Sequence, residues 1–211
     1  MSERGRVGIL ISGRGSNMDA LLRAMRSGRI AADAALVISN VPDAEGLARA
    51  KQLGAPVAVV DHREIRPRQE HERRIVEMLR AQRVDLVCLA GYMRLLSPWF
   101  VEQLRHRILN IHPSLLPAFP GLDAQRQALE HGVKVSGCTV HFVDEQCDHG
   151  PILSQASVEV LEDDDVVSLS ARILEQEHRI YTAAVEAYFQ GRVRIEGKHA
   201  RIAPVKAAPM A

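Results

Sequence analysis

The chain predicts an α/β fold: an open, Rossmann-like sheet, parallel in its N-terminal half and antiparallel toward its C-terminus, with helices on both faces. Three observations lead there. Short apolar runs alternate with amphipathic stretches over the first half. Glycines stand just behind two of those stretches, at Gly28 and Gly54, where helices end. In the second half two long apolar segments, 135–143 and 152–160, are separated only by a turn-rich loop containing Gly150-Pro151, the spacing of an antiparallel pair.

Taken in order, residues 7–11 read as a buried strand. Met18, Leu21, Leu22 and Met25 then recur at i, i+3, i+4 and i+7, one stripe of a helix that stops before Gly28. The unit repeats as strand 34–39, helix 44–53, strand 56–60, a charged helix 69–82 burying Ile75, Met78 and Leu79, and strand 85–90. Such alternation is the pattern of parallel strands. After Ser97 it changes: a short helix 98–104, a strand 108–111, a proline-rich loop and a helix 123–131 precede the two paired strands. Asp163-Asp164-Asp165 opens a final helix reaching about residue 190, where acids meet the positive end of the helix dipole. That run reads as dipole matching, not as a metal site. From Gly197 the periodicity ends, so the tail 197–211 is expected to be flexible. One domain over residues 1–211 is expected, with its core at about 7–191.

Twenty-seven basic and 26 acidic residues give a net charge of +1, which offers no general attraction to nucleic acid or to an anionic membrane. No apolar run approaches the ~20 residues needed to span a bilayer. The start, Met1-Ser2-Glu3-Arg4-Gly5-Arg6, is charged and leads into only a few apolar residues, unlike a signal peptide. A cytoplasmic location is expected. Cys88, Cys138 and Cys147 are isolated from one another, which favours reduced thiols over disulfides.

The chemistry concentrates in Asn110-Ile111-His112-Pro113-Ser114-Leu115-Leu116-Pro117. Residues i and i+2 of a strand share a face, so Asn110 and His112 sit together. Pro113 removes a ladder donor, so pairing is expected to stop here with both heads projecting beyond the sheet edge, where open α/β sheets bind ligands. An amide donor beside an imidazole suits stabilising an oxyanion and moving a proton. The bland alternative is a capped strand end and a satisfied turn histidine. A second cluster, Asp144-Glu145-Gln146-Cys147-Asp148-His149-Gly150-Pro151, shifts the balance, because its turn can return Asp148 toward His112 and raise the imidazole pKa.

Asn-x-His-Pro-Ser-Leu-Leu-Pro followed by Asp-x-Gly-Pro resembles the signature of the folate-dependent formyltransferases. Ile11-Ser12-Gly13-Arg14-Gly15-Ser16-Asn17 is similar to the phosphoribosylglycinamide formyltransferase branch. The resemblance covers about 7–191 and implies formyl transfer from 10-formyltetrahydrofolate, as co-substrate, to glycinamide ribonucleotide in purine biosynthesis, without a metal. It assigns catalysis to Asn110, His112 and Asp148. Gly15, Ser16 and Asn17 would take the phosphate of glycinamide ribonucleotide, and Glu177 its ribose. Met93, Arg94, Leu95 and Leu96 would line the folate pocket with Asn110 and the loop of Asp144, Glu145, Gln146, Cys147 and Asp148. Arg68 would meet the benzoyl-glutamate end. By residue chemistry alone the glycine loop, between a strand and a helix, fits one monophosphate, since it lacks the lysine of a P-loop and the spacing of a dinucleotide motif. The partners implied are small-molecule substrates, with the protein a monomer or homodimer.

Other readings remain. A sister folate-dependent formyltransferase or a formyltetrahydrofolate deformylase shares the same core. Cys138, His141, Cys147, Asp148 and His149 can be imagined as a zinc cluster, although zinc motifs pair their ligands more tightly. His141 either braces the site or is a buried structural histidine.

Overall fold

In the computed structural model, which describes residues 4–204, the apolar runs become strands. β1 (Gly5–Ile11), β2 (Ala32–Ser39), β3 (Val57–Val59), β4 (Leu86–Leu89), β5 (Ile108–His112), β6 (Val135–Phe142) and β7 (Ile152–Glu159) form one sheet in the order β3-β2-β1-β4-β5-β6-β7. Pairing is parallel from β3 to β5 and antiparallel from β5 to β7. The direction of strand addition reverses at β1 and β4. Loops leaving the carboxyl ends of these two strands therefore part and open a crevice.

Alternation along β1 explains why both faces are covered. Ile9 and Ile11 enter one core with α1 (Ser16–Arg26), α2 (Glu45–Gln52), α5 (Ala124–Glu130) and α6 (Val166–Phe189). Leu10 enters the other, against Ile75 and Leu79 of α3 (Arg68–Ala81) and Phe100 of α4 (Pro98–Gln103). Asp165 caps α6 reciprocally: its carboxylate accepts from Ser168 N at 2.8 Å, and its own N–H donates to Ser168 Oγ at 3.0 Å. Asp164 takes both terminal nitrogens of Arg172, at 2.7 and 2.9 Å. The acidic run is thus cap and ion pair. Deep in the molecule, the Tyr181 hydroxyl lies 3.0 Å from Leu89 O and 2.9 Å from Leu109 O, pinning α6 across the ends of β4 and β5.

One expectation is corrected. The chain past Gly197 does not lose structure at once: β8 (Val193–Glu196) and β9 (His199–Ile202) form a hairpin, with Gly197 at φ 60° in its turn. Val193, Ile195, Ala200 and Ile202 pack on the main core. Their alternation is a strand pattern, hidden in the sequence by intervening Arg, Glu and His. The rest of the expected flexible tail, 205–211, lies outside the described residues. No helix among the described residues is long and apolar enough to cross a membrane.

Candidate active site

β5 carries Asn110 and His112 on one face, but inside the ladder and not beyond it. Asn110 pairs with His141 and His112 with Thr139, because antiparallel β6 keeps bonding to the last residue before Pro113. The expected projection past the sheet edge is therefore corrected: the two heads stand on the face of the sheet. The loop of residues 143–151 folds back to meet them. Gly150 makes this possible, since a Cβ there would collide with the Phe142 carbonyl. Phe142 N–H donates to Pro151 O at 2.9 Å and closes the turn.

Asp148 arrives in a left-handed conformation, φ 50°, which an aspartate tolerates better than most residues. Its Oδ2 lies 3.4 Å from His112 Nδ1 and accepts from Gly121 N at 2.8 Å. Its Oδ1 accepts from Asn110 Nδ2 at 3.4 Å. Burial alone would raise this carboxyl, but the neighbouring His141 and His112 rings and the Gly121 amide offset that and hold it well below the usual carboxylate range. It is an anion at neutral pH.

His112 is almost fully buried. Burial pushes its imidazole below the ordinary value, against the opposing pull of the Phe119 carbonyl and Asp148. The Asp148 carboxylate, the influence visible in the sequence, is outweighed by desolvation. Nε2 donates to Phe119 O at 2.8 Å, so both ring nitrogens face acceptors, the arrangement an imidazolium satisfies completely. The proline-rich loop thus serves both partners, with Phe119 holding His112 and Gly121 holding Asp148.

At the carboxyl end of β1, Gly15 caps α1 at φ 70° with no side-chain acceptor. The first bond within the helix runs from Asp19 N to Gly15 O, so the N–H groups of Ser16, Asn17 and Met18 point out of the helix end. Gly46 at the start of α2 seats the loop, its N–H donating to Gly13 O at 3.0 Å. Asn17 Nδ2 donates to Glu177 Oε2 at 2.7 Å, both side chains being buried. The loop and α6 therefore meet at one place.

The carboxyl end of β4 adjoins this loop. Ser12 N donates to Gly91 O at 3.0 Å, and Met93 N donates to Ser12 Oγ at 2.8 Å. Met93 and Leu95 stand 67% and 65% exposed, with Arg94 and Leu96 half-buried between and beyond them. Arg68 donates to Leu95 O and to Glu72 Oε1, so it braces this loop. Buried Glu72 in turn takes Ser97 N at 2.9 Å and the Ser97 hydroxyl. Within the other loop, Asp144 is spent internally on His149 Nδ1 at 2.7 Å and Gln146 N at 3.0 Å. Glu145 lies 3.5 Å from Arg105, and the Cys147 thiol donates to Asp148. The zinc cluster does not assemble, because Cys138 is in the core of β6 and His149 is paired with Asp144.

A profile of the formyl transferase family matches residues 5–185. The chain belongs to the formyl transferase family. This formyl transferase is 42% identical over 191 residues to the phosphoribosylglycinamide formyltransferase of Haemophilus influenzae, with 90% of each chain covered. It is 51% identical over 190 residues to the trifunctional purine biosynthetic protein adenosine-3 of Drosophila melanogaster; there the match covers 89% of this chain but only 14% of that protein's length. Its fold superposes on the crystal structure of glycinamide ribonucleotide transformylase 1 from Symbiobacterium toebii with a TM-score of 0.94 and 52% identity, covering 97% of this chain and 96% of that one.

Several residues that shape the site of this formyl transferase escaped the sequence reading. Gly46, Glu72, Phe119 and Gly121 act through backbone contacts or burial, for which a sequence carries little signal. Glu72 alone had one, a charged residue on the apolar side of a predicted helix.

Proposed function

We propose that this formyl transferase moves the formyl group of 10-formyltetrahydrofolate to the amine of glycinamide ribonucleotide. The observation that carries the reading is the Asp148 carboxylate, held ionised between His112 Nδ1 and the Asn110 amide. The neutral amine attacks the formyl carbon directly, and the tetrahedral oxyanion forms beside Asn110 Nδ2 and His112. Its negative charge favours the imidazolium form of His112, which the Phe119 carbonyl and Asp148 already accommodate. Asp148 supports that cation and helps carry the proton from the attacking amine to the departing folate nitrogen. No covalent intermediate with the protein is needed, and holding both substrates in one crevice supplies the proximity.

In this reading Gly15, Ser16 and Asn17 receive the phosphate on the open N–H groups of α1, and Glu177 receives the ribose. Met93, Arg94, Leu95 and Leu96 line the folate pocket with the loop from Asp144 to Asp148, and Arg68 meets the glutamate carboxylate while bracing Leu95. A single domain would carry both subsites, acting on small molecules in the cytoplasm.

The test is formyl loss from 10-formyltetrahydrofolate with glycinamide ribonucleotide present or omitted. A transferase consumes the folate only when the amine acceptor is present and yields formylated product in equal amount. Consumption at the same rate without acceptor would make the protein a deformylase and overturn the proposal.

A further inference from the structure

Three strand ends meet at Ser12. It directly follows β1, and because Ile11 pairs with Ser39 in the parallel register of β1 with β2, Asn40 comes to stand beside it. On the other side Ala90 N donates to Leu10 O at 2.9 Å and Ser12 N to Gly91 O at 3.0 Å, which carries the bonding between β1 and β4 one step past the strand end. Gly91 has φ 77°, and from it the chain turns away toward the loop of Met93 to Leu96. The Ser12 hydroxyl supplies a second hold: Met93 N donates to Oγ at 2.8 Å, and the hydroxyl proton, left free by that bond, goes to Asn40 Oδ1 at 2.6 Å. Asn40 is buried, and the His62 ring closes over it with Nδ1 2.9 Å from its carbonyl oxygen. On its own C-terminal side Ser12 leads straight into the glycine loop. One residue therefore starts one loop and ties down the other.

We propose that Ser12 is a positioning residue: its hydroxyl, oriented by Asn40, fixes the folate loop relative to the glycine loop and so sets the approach of the amine to the formyl carbon. This rests on the function proposed above, in which each loop holds one substrate. Without the hydroxyl, Tyr92 to Arg94 would hang between Gly91, which has no Cβ to restrict its backbone, and Leu95, which Arg68 braces. The bond at Met93 pins the middle of that segment. The remainder of each subsite is built elsewhere, since Gly46 seats the glycine loop and Glu72 holds Ser97. Removing the hydroxyl thus leaves each substrate its binding groups and disturbs only the distance between the two, to which bond formation is far more sensitive than binding. Ser12 itself exchanges no proton with either substrate.

The test compares single-turnover formyl transfer with the separate binding of each ligand, on the full chain, with folding followed by the unfolding midpoint. Calorimetry gives Kd for glycinamide ribonucleotide alone and for tetrahydrofolate alone, which lacks the formyl group and cannot react. Ser12→Ala should slow the single turnover by about 10- to 100-fold while both Kd values stay within about threefold of wild type, the signature of lost alignment between intact subsites. Ser12→Thr, which keeps the hydroxyl, should recover most of the rate. Asn40→Ala should slow the wild type in the same sense and add little in the Ser12→Ala background, because the hydroxyl that it orients is already gone. Should the extra methyl of threonine prevent folding, the Asn40 cycle carries the comparison. A Ser12→Ala protein that turns over at the wild-type rate, a loss that appears in either Kd and not in the rate, or losses that add in the double variant would overturn the proposal while leaving wild-type formyl transfer intact. Absence of acceptor-dependent transfer in the wild type would instead overturn the functional reading.

Discussion

Asn17 and Glu177 stand 160 positions apart in the chain and meet in the interior, the amide donating to the carboxylate at 2.7 Å. The amide oxygen of Asn17 is buried and has no hydrogen-bond partner among the described residues. An acceptor left open beside a buried acid suits the arrival of a hydroxyl-bearing ligand, since an unmet polar atom in the interior is costly. Burial pushes the Glu177 carboxyl above its ordinary value, and the Asn17 hydrogen bond only partly opposes this.

Stability should therefore depend on pH through Glu177. The folded-state value is raised, so its contribution is complete below the unfolded value of about 4.5 and is lost as pH rises through the folded value. Urea denaturation of the wild type and Glu177→Gln across that window should show the wild type losing stability relative to the variant as pH rises. Asp148 acts with opposite sign at lower pH and is common to both proteins, so it drops out of the difference. Parallel curves would mean that Glu177 is solvated as an anion.

Asp148→Asn, Asn110→Ala and His112→Ala should each reduce turnover on the order of 10²-fold or more while the fold persists. Asp148→Asn carries a second signature. The carboxylate pulls the His112 imidazole up against burial, so neutralising it should move the alkaline limb of the kcat profile to lower pH as well as lower the maximum. Profiles at saturating substrates, with chemistry shown to limit the rate, give the answer. An unmoved limb would separate Asp148 from His112 and leave it a role in shaping the loop.

Gly46→Ala should weaken glycinamide ribonucleotide binding without touching the folate side. A Cβ there would stand 2.7 Å from Ile11 Cδ1 and 2.9 Å from Gly13 O, so the glycine loop must shift. Calorimetry should show the loss for glycinamide ribonucleotide with the folate affinity within about twofold of wild type, because a displaced loop loses its alignment with the phosphate. Equal losses for both ligands would contradict the division of the crevice.

Much of the framework was legible before any coordinates. Period-2 and period-3.6 patterns place strands and helices because burial of apolar side chains acts locally along each element; Gly28 and Gly54 mark helix ends because few other residues adopt their left-handed backbones, and Gly150 marks a turn where a Cβ would strike the Phe142 carbonyl. The hairpin β8–β9 was missed because Arg194, Glu196 and Arg201 interrupt its short apolar alternation, and its inner face gains meaning only against β7.

For this protein the sequence by itself determined the α/β order, the partnership of Asn110 with His112 on one strand face, and the glycine-rich start of α1, all of which follow from side-chain spacing and backbone permissiveness. Only the tertiary structure decided that the pair stands inside the ladder opposite His141 and Thr139. It also decided that burial outweighs Asp148 in lowering the His112 imidazole, and that Asn17 finds Glu177. The physical reason is range: periodicity reports neighbours three or four residues away, whereas register, desolvation and hydrogen-bond partnership depend on groups brought together from distant parts of the chain.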